Sequence, residues 1–185
     1  MDAAVFGDII RRNTVNRALL ERLPDISLAD AWLTAGCLFQ TVWNLQTGRP
    51  PDEQIVDHDV FYYDPADLSW EAEDRVIRRV AGACADLGVT IDVKNQARVH
   101  LWYRDRFGTD YPVLRSSEDG MARFPVRGTC VGIRAKCGQV FAPFGLVDIA
   151  EGILRPNPDV ALTARLAEKC LSYQRRWPHL RIEPG

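Results

Sequence analysis

The sequence predicts an α/β domain of the α+β kind, in which a mixed β-sheet is flanked by helices. Three observations carry this. Apolar residues recur at helical spacing near both ends of the chain. Short runs rich in Val, Ile, Phe and Tyr lie between the helical segments. The segments follow one another as α, β, α, β, α, β, a mixed stretch and a last α, an order that places helices against a sheet.

Phe6, Ile9, Ile10, Leu19, Leu20 and Leu23 predict one amphipathic helix over about 3–22, ending before Pro24. Ser27 or Asp30 can begin the next element, and 31–35 is a short apolar segment that stops at Gly36. Residues 37–47 predict a helix with Leu38, Val42, Trp43 and Leu45 buried, closed by Gly48 and barred from continuing by Pro50-Pro51. Residues 55–63 predict a strand, followed by a turn at Asp64-Pro65. Ser69 is the expected N-cap of a helix running to about Leu87 and stopping at Gly88, with Glu71, Glu73 and Asp74 in its first turn. Residues 89–93 predict a strand, whereas 95–104 fit a helix or a strand equally. Ser116 or Ser117 starts a short acidic turn or helix through Arg123. Residues 130–142 predict a hairpin turning at Cys137-Gly138, and 146–154 predict a helix. The run Arg155-Pro156-Asn157-Pro158 breaks the chain before a final amphipathic helix over 159–176, with Val160, Leu162, Leu166 and Leu171 on its apolar side. One domain is expected over 1–185, with no internal repeat.

The formal net charge of −2 carries no sign of nucleic-acid coating or of binding to an anionic membrane, so nucleic acid is a disfavoured partner, though not an excluded one. The five cysteines form no C-x-x-C pair, and their odd number points to free, mostly buried thiols in a reducing cytosol. Cys130 and Cys137 could face each other across the hairpin. The N-terminus lacks the apolar core of a secretory signal, and no apolar run approaches the ~18 residues of a membrane span. A cytoplasmic protein is expected.

Side chains alternate faces along a strand, so Asp57 and Asp59 point to the same side while His58 points away with Val56, Val60 and Tyr62. Two such carboxylates can converge on a hard divalent cation; without one they repel, and burial raises their pKa. Asp92 sits between Ile91 and Val93 in the next predicted strand and can join them if the strands are neighbours. Three carboxylates on one sheet surface can hold two Mg²⁺ ions around a phosphate. Gly36, at the start of a helix, aims unpaired N–H groups and the positive helix end at one point, which suits a triphosphate.

The order of glycine turn, helix, D-x-D strand and later single-aspartate strand resembles the polymerase-β-like nucleotidyltransferase superfamily. More closely, the chain is similar to a bacterial family of nucleotidyltransferase-like proteins. The matching stretches are A-G-C-L-F-Q-T-V-W-N (35–44), D-H-D-V-F-Y-Y-D (57–64), D-L-S-W-E-A-E-D (67–74), V-K-N-Q-A-R-V-H-L-W (93–102), R-S-S-E-D (115–119), A-P-F-G-L-V-D (142–148) and L-R-P-N-P (154–158). The resemblance implies the superfamily fold and a Mg²⁺- or Mn²⁺-dependent transfer of a nucleoside monophosphate from an NTP to a hydroxyl acceptor. It implies that Gly36 and the next residue hold the triphosphate, and that Asp57 and Asp59 bind both metals. Asp92 is then the third carboxylate, binding one metal and helping to deprotonate the acceptor. Cys37 departs from the superfamily's usual Gly or Ser, and a thiol is the weaker donor. That keeps open a degenerate nucleotide- or metal-binding protein, and carboxylate–metal chemistry also allows a phosphohydrolase.

Asn95, Gln96, Arg98 and His100 form a polar stretch just after Asp92 that could line the nucleotide or acceptor pocket, with Arg98 the candidate phosphate contact. Arg115 and Ser116 could offer a guanidinium and helix-start amides to an anion, or be a simple helix cap. Trp32, Trp43, Trp70 and Trp102 are expected in the core, Trp102 being the one whose position invites a stacking role.

Overall fold

The computed structural model describes residues 1–26, 28–160 and 164–184. Ser27 and Leu162, both named above, lie outside the described residues. The single N-terminal helix expected from the apolar spacing is two helices, α1 (Ala3–Arg11) and α2 (Thr14–Arg22). Asn13 causes the break. Its side-chain oxygen accepts from the N–H groups of Val15 and Asn16, capping α2, while its amide nitrogen donates to Thr41 and to the Pro51 carbonyl. Periodicity survives a one-turn interruption because the two helices present their apolar sides to the same core.

Strand β1 (Trp32–Thr34) leads through Ala35 into helix α3 (Gly36–Gln46), and β2 (Asp57–Tyr62) follows. Helix α4 (Trp70–Ala83) starts at Ser69, whose hydroxyl accepts from the Ala72 N–H as expected of an N-cap. Strand β3 (Thr90–Asn95) is followed by a 3₁₀ turn and helix α5 (Val99–Phe107), which resolves the ambiguous stretch as helix. The short α6 (Ser117–Met121) precedes the hairpin β4 (Gly132–Arg134) and β5 (Val140–Phe141). The helix expected over 146–154 is shorter: α7 (Val147–Glu151) ends at Gly152 in the left-handed conformation, and β6 (Ile153–Leu154) follows. Helix α8 (Ala164–Arg176) begins later than the apolar pattern suggested, and β7 (Arg181–Ile182), which had no sequence signal, pairs with β6.

The main sheet has the order β3-β2-β1-β4-β5, with β2 and β3 parallel and the other pairs antiparallel. Leu33, Val60, Tyr62, Val93 and Ile133 from one face join the helices in a single buried cluster. Trp32, Phe61 and Met121 form a smaller cluster on the other face, the face that carries the aspartates. Gly132 belongs to that cluster's packing, since a Cβ there would lie 2.3 Å from the Met121 sulfur. Helix α3 is buried from Gly36 to Asn44 on every side, not along one stripe, and Leu45 is only half-buried. Phe39 and Trp43 of α3, 4.8 Å apart at their ring centroids, meet Tyr173 and Trp177 at centroid distances of 5.5 Å, and Trp177 donates its indole N–H to Asn44 at 2.8 Å. Aromatic pairs of this kind contribute about 0.5–1.5 kcal/mol each beyond area burial. They fix the C-terminal part of α8 against the middle of α3. Leu171 of α8, expected inside, is exposed.

Candidate active site

The register of the sheet decides which carboxylates meet. Asp59 pairs with Asp92 across β2 and β3 and with Thr34 of β1, so Asp57, Asp59 and Asp92 share one face. His58 points the other way and is buried. Burial lowers its pKa against the opposing pull of the Asp57 charge, so the ring is neutral. Asp59 has the reverse problem. Burial, then the charges of Asp57 and Asp92, push its carboxyl up to about 7, while Lys169 and Lys94 pull it down. Asp92 is held by the Lys94 ammonium at 2.5 Å.

Beside these carboxylates β1 turns into α3. The special backbone position is Ala35, not Gly36: Ala35 has φ 60° and ψ −136°, a conformation that glycine adopts readily and alanine does not. No side chain caps the first turn of α3, so its amides face the cleft with the positive end of the helix behind them. A Cβ on Gly36 would come 2.6 Å from the Gln40 amide nitrogen, so the missing side chain lets Gln40 fold back over the turn. The Cys37 thiol is buried under this turn and donates to the Thr34 carbonyl at 3.3 Å. Burial pushes it well above the ordinary thiol value. The sequence placed Cys37 where a phosphate-holding hydroxyl could stand. Its side chain points into the protein, and only its backbone is left for a ligand.

A cleft of about 850 Å³ joins these parts, lined by Gly36, Gln40, Asp57 and Asp59 on one side and by α8 on the other. Lys169, Ser172, Tyr173 and Arg176, which fall on successive turns, form the α8 wall. Arg176 reaches Gln40 at 3.4 Å and lies 4.6 Å from the Trp177 ring centroid, and its Nε is buried without a partner. Among the described residues, neither Lys169 nor Arg175 nor Arg176 makes an ion pair. The cleft walls desolvate Lys169 and lower its pKa, while Asp59 and Asp57 across the cleft hold it up. Unpaired cations therefore face uncompensated carboxylates over one space. These α8 residues were absent from the sequence-based site. Their signal was K-C-L-S-Y-Q-R-R (169–176), cations three or four residues from an aromatic on an otherwise ordinary amphipathic helix.

Asp92 shares the face of Asp57 and Asp59 but is not among the residues lining this cleft, and the remaining predicted residues do not line it either. Asn95 is buried and ties Asp64 and Ala97 together, and its N–H donates to Glu73 at 2.8 Å. Gln96 is packed against Gly120, and its amide donates to the Lys94 carbonyl at 3.5 Å. Arg98 donates to the Leu68 carbonyl at 2.9 Å and to the Glu73 carboxylate, which keeps it on the α4 side of β3. His100 is half-buried with its Nδ1 unpartnered. Arg115 and Ser116 both bond to Asp119 at the start of α6: the Arg115 N–H donates to its carboxylate, and the Ser116 hydroxyl accepts from its N–H.

Among the described residues, no group of three or more His, Cys, Asp and Glu side chains forms a ready-made metal cage. Mg²⁺ does not require one, since it is bound through one or two carboxylates together with substrate phosphates and water. Asp57 and Asp59 supply two hard oxygen donors on one face, where burial first and then the Asp57 and Asp92 charges raise the Asp59 value. The donor set fits a divalent cation.

A family model described as nucleotidyltransferase matches residues 21–182. No curated protein is matched. Among solved structures, the chain is similar to an NMR structure described as revealing a CCA-adding enzyme head domain. The TM-score is 0.76 at 25% identity, over 97% of this chain and 95% of that one.

Proposed function

Because the chain belongs to the nucleotidyltransferase family, we propose that it moves a nucleoside monophosphate from an NTP to a hydroxyl acceptor in the cleft between β2 and α8, with Mg²⁺ or Mn²⁺ as cofactor. One observation supports this above the others: same-face Asp57 and Asp59 stand opposite the unpaired cations of α8, beside the uncapped start of α3. A metal-bound triphosphate has the matching charge pattern.

Each residue then has a task. The amides at the start of α3, Gln40, Lys169 and Arg176 bind the triphosphate and orient it in line for displacement. Asp57 and Asp59 hold the cation, with Asp92 as the third carboxylate; when bound, the cation offsets charge that develops on the phosphate oxygens. Asp92 takes the proton of the acceptor hydroxyl once Lys94 releases it. The acceptor oxygen bonds to the α-phosphorus, the bond from that phosphorus to the bridging oxygen breaks, and pyrophosphate leaves. Burial of the Cys37 thiol weakens the case for a degenerate binder, because the departure from Gly or Ser no longer touches the phosphate site. No helix among the described residues is long and apolar enough to cross a membrane, and all five cysteines are free.

The test is pyrophosphate release from NTPs with Mg²⁺ in the presence of cell-extract acceptors. Asp57→Asn and Asp59→Asn are expected to abolish release while circular dichroism shows the fold intact. Wild-type release by either variant would sink the assignment. Phosphate, or free monophosphate with no labelled acceptor, would mark a hydrolase instead.

A further inference from the structure

Next to the carboxylate cleft lies a second groove of about 620 Å³, between α4 and α5. Trp70 and Trp102 form part of its walls, with Ile77, Arg98, Arg106 and Lys94 around them. Trp70 was expected in the core, yet it is 58% exposed. It is held in place all the same: the Arg98 guanidinium lies 5.9 Å from its ring centroid, and Arg98 is itself tied to Glu73 and the Leu68 carbonyl. Arg106 lies 6.0 Å from the Trp102 ring centroid.

Two residues connect this groove to the carboxylate cleft. Lys94 lines the groove and bonds Asp92 at 2.5 Å, and Arg106 lines both spaces. Its charges largely cancel: Glu73 neutralises Arg98, Asp92 neutralises Lys94, and Asp105 and Arg106 balance each other in sign. A nucleic-acid strand requires Lys and Arg facing successive phosphates, and this groove does not offer them. Its volume, and its two tryptophans set among charged groups that offset one another, suit a small-molecule pocket.

We propose that this groove is the acceptor subsite and takes a small hydroxyl-bearing molecule with a flat, weakly polar ring, stacked on Trp70 and Trp102 with its hydroxyl toward Asp92. The proposal rests on the nucleotidyl-transfer reading. The acceptor hydroxyl gives its proton to the Asp92 carboxylate, its oxygen bonds to the α-phosphorus, and pyrophosphate departs with the electrons of the broken phosphorus–oxygen bond.

The test separates binding from chemistry. The full chain is saturated with Mg²⁺ and a non-hydrolysable NTP analogue. Adenosine, uridine and a phenyl glycoside are titrated in, with glycerol and glucose as hydroxyl donors that lack a flat ring, and binding is read by ligand-observed NMR. The ring compounds are expected to bind and the other two not to. Trp70→Ala and Trp102→Ala are expected to weaken that binding about tenfold, with phenylalanine at either position restoring most of it. The proposal is overturned by equal binding of all five probes, or by undiminished binding in both alanine variants. Salt-sensitive binding of an oligoribonucleotide, with none by the free ring compounds, also overturns it. Asp59→Asn keeps the transfer reading separate: it should leave ring binding intact and remove pyrophosphate release. Loss of the predicted ring binding leaves transfer standing. A wild-type chain that binds the rings yet releases no pyrophosphate with any of them overturns the acceptor role of the groove, while transfer itself stands or falls with the cell-extract acceptors.

Discussion

Asp59 is a carboxylate kept where its charge is costly. Its native value of about 7 stands above the ordinary 3.8. Between those pH values the native state keeps a proton that the unfolded state has lost, so this group's contribution to stability falls as pH rises through that range and is gone above it. Asp59→Asn removes the dependence. In EDTA, the variant is expected to melt above wild type at pH 8, by about 2–4 °C per kcal/mol regained, with the advantage vanishing near pH 4. Thermal denaturation at the two pH values checks this, and an unchanged difference would contradict it. Arg176→Ala tests the opposite wall. It should raise KM for NTP about tenfold or more, since a charged hydrogen bond contributes roughly 1.5–3 kcal/mol, and leave KM for the acceptor unchanged in steady-state kinetics. At this scale the strand period alone placed Asp57 and Asp59 on one face. The direction of the Cys37 side chain was not readable, because the first residues of a helix point wherever the preceding turn aims them, and that turn is set by Ala35.

Among elements, the β1-to-α3 connection carries the strain. Ala35→Gly exchanges a disfavoured alanine for the residue that tolerates φ 60°, against the ~0.5–1 kcal/mol that glycine ordinarily costs. The variant is expected to be as stable as wild type or slightly more so in urea denaturation; a loss above ~1 kcal/mol would show the turn to be unstrained. Sequence patterns located α3, α4, β2 and β3 closely because each is bounded by a capping or breaking residue. They missed the break at Asn13, because two helices sharing one core keep one apparent period. They missed β6 and β7 because two-residue strands leave no pattern. Arg98 illustrates a related limit. A cation close in sequence to Asp92 was read as a phosphate contact, but buried Glu73 of α4, which pairs with no other cation among the described residues, holds it on the far side of β3.

At the scale of the whole molecule, the cleft brings together a sheet face and a helix more than a hundred residues later in the chain. Its two walls carry opposite charge, and a ligand that neutralises both binds the folded form alone. Mg²⁺ with an NTP analogue is expected to raise the melting temperature by about 5–10 °C when each is in large excess over its Kd, a gain of roughly 2.7 kcal/mol at a hundredfold excess. Either component alone should give less. Differential scanning fluorimetry measures this, and an equal shift in Asp57→Asn would dissociate the binding from the carboxylates.

The order of elements, the shared face of the two aspartates and the glycine at the head of α3 are local properties, set by side-chain alternation and by the conformational range of single residues. They were written in the chain, and they led to the family. Which cations complete the cleft, which thiol is hidden and which tryptophan stays in solvent are long-range outcomes. They follow from aromatic contacts that lay α8 and the residue after it over α3 and from an ion pair that binds the turn before α5 to α4. No spacing rule connects Asp57 to Arg176, because only the closed fold makes them neighbours.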